Sequence, residues 1–433
     1  MDKRASPRRE FLKTSALLAA GGAAWAGTRG RALAVHAGGS DLLRIGLVGC
    51  GARGTGAAAQ ALAADKNIKL VAMADLFPDR LSAGLAALQG NEEVAKKVNV
   101  PAERRFTGIE GYKALMAGGL DVVLLAAPPH FRPAHLKAAV EAGLHIFAEK
   151  PVAVDAPGVR SVLATCQEAK KKNLVLVSGL CMRFYYGFRE LVSRIHDGAI
   201  GEIHTLQASD FRGPVWVRKR QPGWSDMEWQ LRNWLYFTWL SGDCVLEQHI
   251  HFLDVCAWIM GDRYPARAIG MGGRQVRTGP EYGHVYDHHS VVFEYENGAR
   301  LFSNIRQIGN CSNDSSAWAV GSKGRAEFHE RHGGMNLRAA GGNWTYRGEI
   351  NNIYQTEHDE MYAAIRGGKP MFHGDYMAKS TLLGILGRMA TYTGQQVTWE
   401  QALASTEDLT PPSYVWGPLP VPPVAMPGVT RFR

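Results

Sequence analysis

Residues 42–64 read LLRIGLVGCGARGTGAAAQALAA, and three glycines in that stretch decide how the first half of the chain is read. Leu43 to Val48 is an apolar run of strand character and Gly56 to Ala64 an alanine-rich helix. Between them Gly49, Gly51 and Gly54 form GxGxxG. A lone glycine triplet says little. One that follows a strand, opens a helix and precedes an acidic residue by about twenty positions is a dinucleotide fingerprint. The acidic residue is Asp75, which closes the run KLVAMAD. Gly49 permits the tight turn, Gly51 lets the backbone approach a pyrophosphate, and Gly54 brings helix against strand. The helix N-terminus, with Ala52 and Arg53, then faces the anion. A carboxylate at Asp75 accepts from the adenosine ribose and repels a 2′-phosphate, favouring NAD over NADP, a preference that Arg80 weakens.

The alternation continues. GLDVVLLAAPP (119–129) reads as a buried strand, HLKAAVEAGLHIFAEKP (135–151) as a helix feeding a strand, and VRSVLATCQEAKKKNLVLVSG (159–179) repeats that order. Strands alternating with helices predict an α/β fold whose N-terminal part is a doubly wound parallel Rossmann sheet with right-handed crossovers. Later the pattern changes. HSVVFEYENGARLFSN (289–304) alternates like a hairpin turning at Glu296-Asn297-Gly298, which points to an antiparallel sheet in a second domain.

The N-terminus reads differently again. SPRREFLK (6–13) followed by TSALLAAGGAAWAG (14–27) has the pattern of a twin-arginine export signal, with small-x-small sites at Ala32-Leu33-Ala34 and Val35-His36-Ala37. The expected division is a signal over 1–34, a nucleotide domain over 41–178, a substrate and oligomerisation domain over 179–404 and a proline-rich tail over 405–433. Cleavage would leave no stable membrane insertion, and the mature protein is expected in the periplasm or otherwise outside the inner membrane. The net charge is +9, but residues 1–34 carry seven Lys/Arg against Asp2 and Glu10. The remainder is only mildly basic and has no dense basic run, which argues against nucleic acid as a partner. Six scattered cysteines without a CxxC pair read as buried free thiols.

At AEKPV (148–152) the likeness becomes specific. Glu149-Lys150-Pro151, closing a strand well after the glycine loop, resembles the Gfo/Idh/MocA family of nicotinamide-dependent sugar and inositol oxidoreductases. The likeness spans most of 43–400 and includes AAPPH (126–130), GSKGRAEF (321–328) and the late helix QTEHDEMYAAIRGGKP (355–370). It implies a C-terminal α/β domain with an open, mainly antiparallel sheet that serves oligomer contacts, so a homo-oligomer is expected. It also implies cofactor contacts from Ala127, Pro128, His130, Glu149 and Lys150.

The family's second motif corresponds to SGDCVLEQHIHFLD (241–254). Glu247, His251 and Asp254, spaced four and three apart, share one helical face, and His249 points roughly opposite to His251. Four positions depart from the family pattern: Glu247 replaces its Asp, His249 and Asp243 replace glycines, and Arg132 replaces a His. These departures bear on the substrate rather than on the fold.

By this resemblance His251 takes the hydroxyl proton, Lys150 orients and polarises the hydroxyl, and Glu247 sets the hydrogen bonding of both. An unperturbed His titrates near working pH, which suits a base. Five of the eleven tryptophans fall between 216 and 239. Indoles suit the C–H faces of sugars, so Trp234 and Tyr236, with Arg183 and Asp254, are candidate substrate contacts; core packing and a structural ion pair are the alternatives. HVYDHH (284–289) invites a metal reading, but the chemistry needs none and no metal is expected. The tail holds seven of the twenty prolines in its last 23 residues, so an extended strap on a neighbouring subunit is expected, with a mobile end as the alternative. The function expected is oxidation of a secondary hydroxyl of a sugar, cyclitol or glycoside with tightly bound NAD(H). An NAD-dependent glycosidase or lyase working by transient oxidation, and a non-catalytic sugar-binding descendant, are the alternatives.

Overall fold

The computed structural model describes residues 41–329 and 334–433; the expected export signal lies outside them. The first unit is a six-stranded parallel sheet of β1 (Leu43–Val48), β2 (Ile68–Asp75), β3 (Arg105–Thr107), β4 (Val122–Leu125), β5 (His145–Ala148) and β6 (Leu176–Ser178). Its order is β3-β2-β1-β4-β5-β6. Val122–Leu125 is buried at every position, as a central strand covered on both faces must be. Helices α1 (Ala52–Ala64) and α2 (Pro78–Gln89) cover one face. Helices α3 (Gly111–Met116), α4 (Arg132–Glu141) and α5 (Ala156–Lys171) cover the other. The order of strand addition reverses between β1 and β4, so a crevice opens at the carboxyl ends of the strands, where open α/β sheets bind ligands.

The second unit begins with α6 (Tyr186–His196) and β7 (Ile203–Arg212). An insertion follows, holding α7 (Asp226–Arg232) and α8 (Thr238–Ser241), then α9 (Cys244–Glu247) and α10 (Ile250–Ile259). The sheet is completed by β8 (Arg267–Gly273), β9 (His288–Glu294), β10 (Arg300–Gln307), β11 (Asp314–Gly321), β12 (Gly324–His329), β13 (Asn336–Ala339), β14 (Gly342–Thr345) and β15 (Val397–Thr398). Nine strands lie in the order β14-β13-β12-β11-β7-β10-β9-β8-β15. All pairs are antiparallel except β7 with β10. The expected hairpin turn holds, with Gly298 at φ +82° between β9 and β10.

Three late helices, α11 (Ile353–Arg366), α12 (Gly374–Thr393) and α13 (Trp399–Ala404), return the chain to the core. The expected break after residue 178 is not clean. Met361, Tyr362 and Ile365 of α11 join the core built on β1, β2 and α1, and Arg366 clamps Asp65 at 2.7 and 2.9 Å. The insertion has an apolar core of its own, including Met227, Trp229, Leu235, Phe237 and Trp239, into which Phe77 of the first unit is packed. The tail is extended, as its prolines dictate. It is bonded along its own chain, with the Tyr286 hydroxyl donating to the Ala425 carbonyl and Gly428 N to Thr393 O. Five cysteines are buried; Cys311, expected to be buried, is exposed. Among the described residues no helix is long and apolar enough to cross a membrane.

Candidate active site

The glycine loop shapes a cavity of about 410 Å³ at the crevice of the parallel sheet. Gly49 sits at φ +94°, a region that side chains disfavour. A Cβ on Gly54 would strike the Gly49 carbonyl, so the helix can approach the strand only because Gly54 has none. A Cβ on Gly51 would meet no protein atom within 4 Å and would stand in the cleft. The loop thus presents bare backbone at a helix N-terminus, which fits a pyrophosphate. Asp75 lines the same cleft, with its carboxylate accepting from Cys50 N at 2.7 Å and Phe77 N at 2.9 Å. Burial raises its pKa, and those two amide bonds oppose the rise. A carboxylate accepts about four hydrogen bonds, so capacity remains for ribose hydroxyls.

Ala52, Arg53, Ala127 and Pro128 line the cleft as expected. His130 does not: its Nε2 shares a 2.7 Å bond with Tyr414 of the tail, and burial lowers its pKa to about 4. Glu149 is also outside the lining and acts on it through Arg53, which is held by Glu149 and, at 2.7 Å, by Glu357. Arg132, standing where the family carries His, is buried and ties two loops together. Its Nη2 donates to the Ala127 carbonyl at 2.5 Å and its Nε to the Glu149 carbonyl at 3.0 Å. Tyr112 of α3, His135 of α4 and Phe77 at the start of α2 also line the cleft and were not legible in the sequence, because their approach to it depends on the folded crevice.

Beyond Arg53 lies the polar cluster that the Lys150 motif implies. Lys150 Nζ donates to the Glu247 carbonyl at 2.5 Å and to Glu247 Oε1 at 2.9 Å. An ammonium has three protons, so one remains for a ligand. Glu247 Oε2 accepts from Gln248 Nε2 at 2.5 Å, and Gln248 Oε1 accepts from Arg212 Nη1 at 3.2 Å. Arg212 is fixed in turn by Asp210 at 2.5 Å. Gln248 and Asp210 went unnoticed in the sequence; only their closeness to Glu247 and Arg212 along the chain could have flagged them. His251 has its Nδ1 buried without a partner. Burial, together with the charges of Lys150, Arg212 and Arg53, holds its pKa well below the ordinary value, so the imidazole is neutral at pH 7.

The one-helix reading of 244–254 needs correction. The stretch breaks at Gln248–His249 into α9 and α10, and the Glu247 carbonyl at the break accepts from Lys150. A side chain entering the helical ladder is a recognised cause of such a break. Asp254 therefore does not join Glu247 and His251. It is buried and receives Arg183 at 2.8 and 2.9 Å and Ser380 Oγ at 2.7 Å. Arg183 also pairs with Asp262 and lies 3.8 Å from the Tyr376 ring centroid. Both residues belong to a structural ion pair rather than to the substrate face. Tyr236 is 1% exposed, and its hydroxyl donates to the Trp216 carbonyl at 3.0 Å, so it too is packing rather than a sugar contact. Trp234 does line the cleft, but together with Asp75, Leu76 and Phe77 at the adenosine end.

His249 points away from His251, as expected, and shares a 2.9 Å bond with Ser303 on β10. Asp287 is used by the backbone amides of residues 275–277 and by His288, not by His289. Among the described residues Asp243, Cys244 and His289 bring their ligand atoms within 4.8 Å of one another. Asp243 there already accepts from Tyr392 at 2.5 Å and Tyr286 N at 2.9 Å, and burial pushes the Cys244 thiol well up.

Residues 43–177 match the model of an oxidoreductase family with an NAD-binding Rossmann fold, and residues 188–327 match the C-terminal domain of the same family. Inositol 2-dehydrogenase of Rhizobium meliloti (strain 1021) is 26% identical over 322 residues, covering 74% of this chain and 86% of that protein. D-glucoside 3-dehydrogenase of Escherichia coli (strain K12) is 28% identical over 52% of this chain and 56% of its own length. 2,7-anhydro-N-acetylneuraminate hydratase of the same organism is 26% identical over 46% and 50%. The chain therefore spans only about half the length of these last two. The crystal structure of aldose-aldose oxidoreductase from Caulobacter crescentus complexed with glycerol shares the fold. Its TM-score is 0.64 at 20% identity, over 82% of this chain and 99% of that one. A glycine loop built for a dinucleotide, a lysine fixed by a glutamate at its far end and matches across both domains lead to one assignment: the chain belongs to the Gfo/Idh/MocA family of NAD-binding oxidoreductases.

Proposed function

We propose that this protein oxidises a secondary hydroxyl of a sugar, cyclitol or glycoside with NAD. The observation that carries the reading is the Lys150 ammonium, fixed twice by Glu247 with one proton free, its charge felt by a neutral His251, and next in sequence to the Glu149 that holds Arg53 of the dinucleotide cleft. The names of the inositol and glucoside dehydrogenase relatives support the substrate class. The free N–H of Lys150 donates to the hydroxyl oxygen and stabilises negative charge as it develops there. His251 takes the hydroxyl proton, and Glu247 keeps the lysine aimed. Arg212 and Gln248 frame the substrate side. Bound NAD supplies the acceptor for the hydride that leaves the substrate carbon.

The proposal extends to place and assembly. The paired arginines at 8–9 suit export of an already folded protein, which explains how a nicotinamide enzyme could leave the cytoplasm with its cofactor aboard. The outer face of the nine-stranded sheet exposes a row from Ile269 (50% exposed) through Val292 to Phe302 (41%), in cross-strand register, which suits contact with a second copy. A redox-neutral glycosidase or lyase is the second reading, favoured by the hydratase relative; retention of Lys150 favours net oxidation.

The test is the absorbance spectrum of protein isolated from the exported fraction, repeated with a panel of inositols, sugars and glycosides. A 340 nm band that grows with one of them supports the oxidoreductase. Free sugar released from a glycoside without that band supports the second reading. Protein that holds no NAD and changes no absorbance when NAD is added refutes both.

A further inference from the structure

The tryptophan-bearing insertion, expected at the sugar, lies over the other end of the cleft. Trp216, Arg218, Leu231, Arg232 and Trp234 form a wall of the same cavity as Asp75, Leu76 and Phe77, where the fold places the adenosine. The insertion is pinned there. Arg232 grips Asp79 at the start of α2 through two bonds of 3.0 and 3.1 Å, and its guanidinium carbon stands 3.9 Å from the Phe77 ring centroid. Its own helix holds it through Glu228 at 2.9 Å. Trp216 packs 6.0 Å from Trp234 between ring centroids yet remains 44% exposed, leaving indole surface open at the cavity.

A second layer crosses this one. The tail is bonded to the first unit by Leu409 N on Asp155 (3.0 Å) and by the Tyr414 hydroxyl on His130 (2.7 Å). It is bonded to the insertion by Met227 N on Gly417 O (3.2 Å), Leu419 N on Asp226 (3.1 Å) and Gln230 Nε2 on Leu419 O (2.6 Å). Between those anchors the Trp416 ring packs 5.9 Å from Phe77, the side chain that Arg232 covers. Lifting the insertion off the cleft therefore requires breaking the Arg232–Asp79 clamp and the tail bonds together.

We propose that residues 213–236 are the roof of the adenosine site, with Trp216 and Trp234 covering the adenine ring, and that residues 409–419 latch this roof so that the dinucleotide stays bound from one turnover to the next. The proposal rests on the dinucleotide reading of the cleft. A planar heterocycle offers the indoles a stacking face, and the latch adds a kinetic barrier to release.

The test uses the full chain and two substitutions. Trp216→Ala weakens AMP, the adenosine half of the cofactor, by about tenfold and leaves nicotinamide mononucleotide within about twofold. A merely structural defect would move both probes. Trp416→Ala, which removes a latch contact made by a side chain that is not itself part of the cavity lining, speeds the loss of bound NADH fluorescence into excess NAD by at least about tenfold. Equal weakening of AMP and nicotinamide mononucleotide, or a Trp416→Ala release rate equal to wild type, overturns the proposal. Wild-type protein that takes up neither AMP nor NADH overturns the cleft reading and the roof with it. Normal wild-type uptake with unaltered variants overturns the roof alone.

Discussion

Lys150→Met tests the catalytic cluster because methionine keeps an unbranched stem and loses only the ammonium. Two of the three ammonium protons go to Glu247, and the third is the one donor left for a substrate oxygen. Removing a donor aimed at a developing oxyanion costs about 10²–10³ in kcat, or about 2.7–4 kcal/mol. A second effect follows from charge. Lys150 is among the groups that, after burial, depress the His251 pKa. A base must be neutral to act, so oxidation rises with pH through the His251 pKa. Taking away the neighbouring cation raises that pKa and moves the acid limb of the pH–rate profile to higher pH. Lys150→Arg separates the two effects. It keeps the charge, and so the limb, but loses rate because a planar fork cannot reproduce the ammonium geometry. The assay is kcat/KM from pH 5 to 9 by absorbance at 340 nm on the substrate that the panel identifies. Residual activity of Lys150→Met above about a tenth of wild type, or an acid limb that does not move relative to Lys150→Arg, would refute the assignment.

Arg53→Met leaves Glu149 and the fully buried Glu357 without their shared cation, a loss of about 3–5 kcal/mol. The Glu357 pKa is already raised, by burial first, and goes higher without Arg53. An acid whose folded pKa exceeds its unfolded one costs more stability as pH rises above the unfolded value, so denaturation should show a larger deficit at pH 8 than at pH 5. Arg183→Met breaks a buried pair that is not part of the cleft lining. A drop in melting temperature with the substrate KM unchanged is expected, and a changed KM with stability intact would return Arg183 to the substrate face. Gly51→Ala, whose new methyl meets no protein atom, should leave the melting temperature alone while calorimetric titration shows NAD binding weakened by at least about tenfold. Gly54→Ala should lower both.

What the sequence disclosed and what it hid divide along a physical line. The glycine loop, Asp75 and the parallel strands were legible because their chemistry is local: φ angles, strand–turn–helix order and a motif a few residues long. Lys150 and Glu247, 97 positions apart, were paired only through the family resemblance, and the structure places them in contact. The helix break was not legible, since nothing in SGDCVLEQHIHFLD announces that a lysine from another domain takes one of its carbonyls. The neighbours of the cleft tryptophans were hidden for the same reason. Their position depends on Arg232 meeting Asp79, 153 positions away, and composition carries no register over such a span. Arg183 and Asp254, 71 positions apart, were chosen for their charge and turned out to satisfy each other.

Arg132 carries a last consequence. Its guanidinium bridges the carbonyls of Ala127, on the cofactor loop, and Glu149, beside the reactive lysine. The cofactor loop and the lysine are thereby carried on one frame belonging to the first domain. Arg212 and Gln248, which frame the substrate side in the proposed function, come from the second. Mutations can accumulate among these without disturbing the distance between cofactor and lysine. A lineage built this way can change its sugar while keeping its redox step, because selection on the two acts on separate parts of the gene.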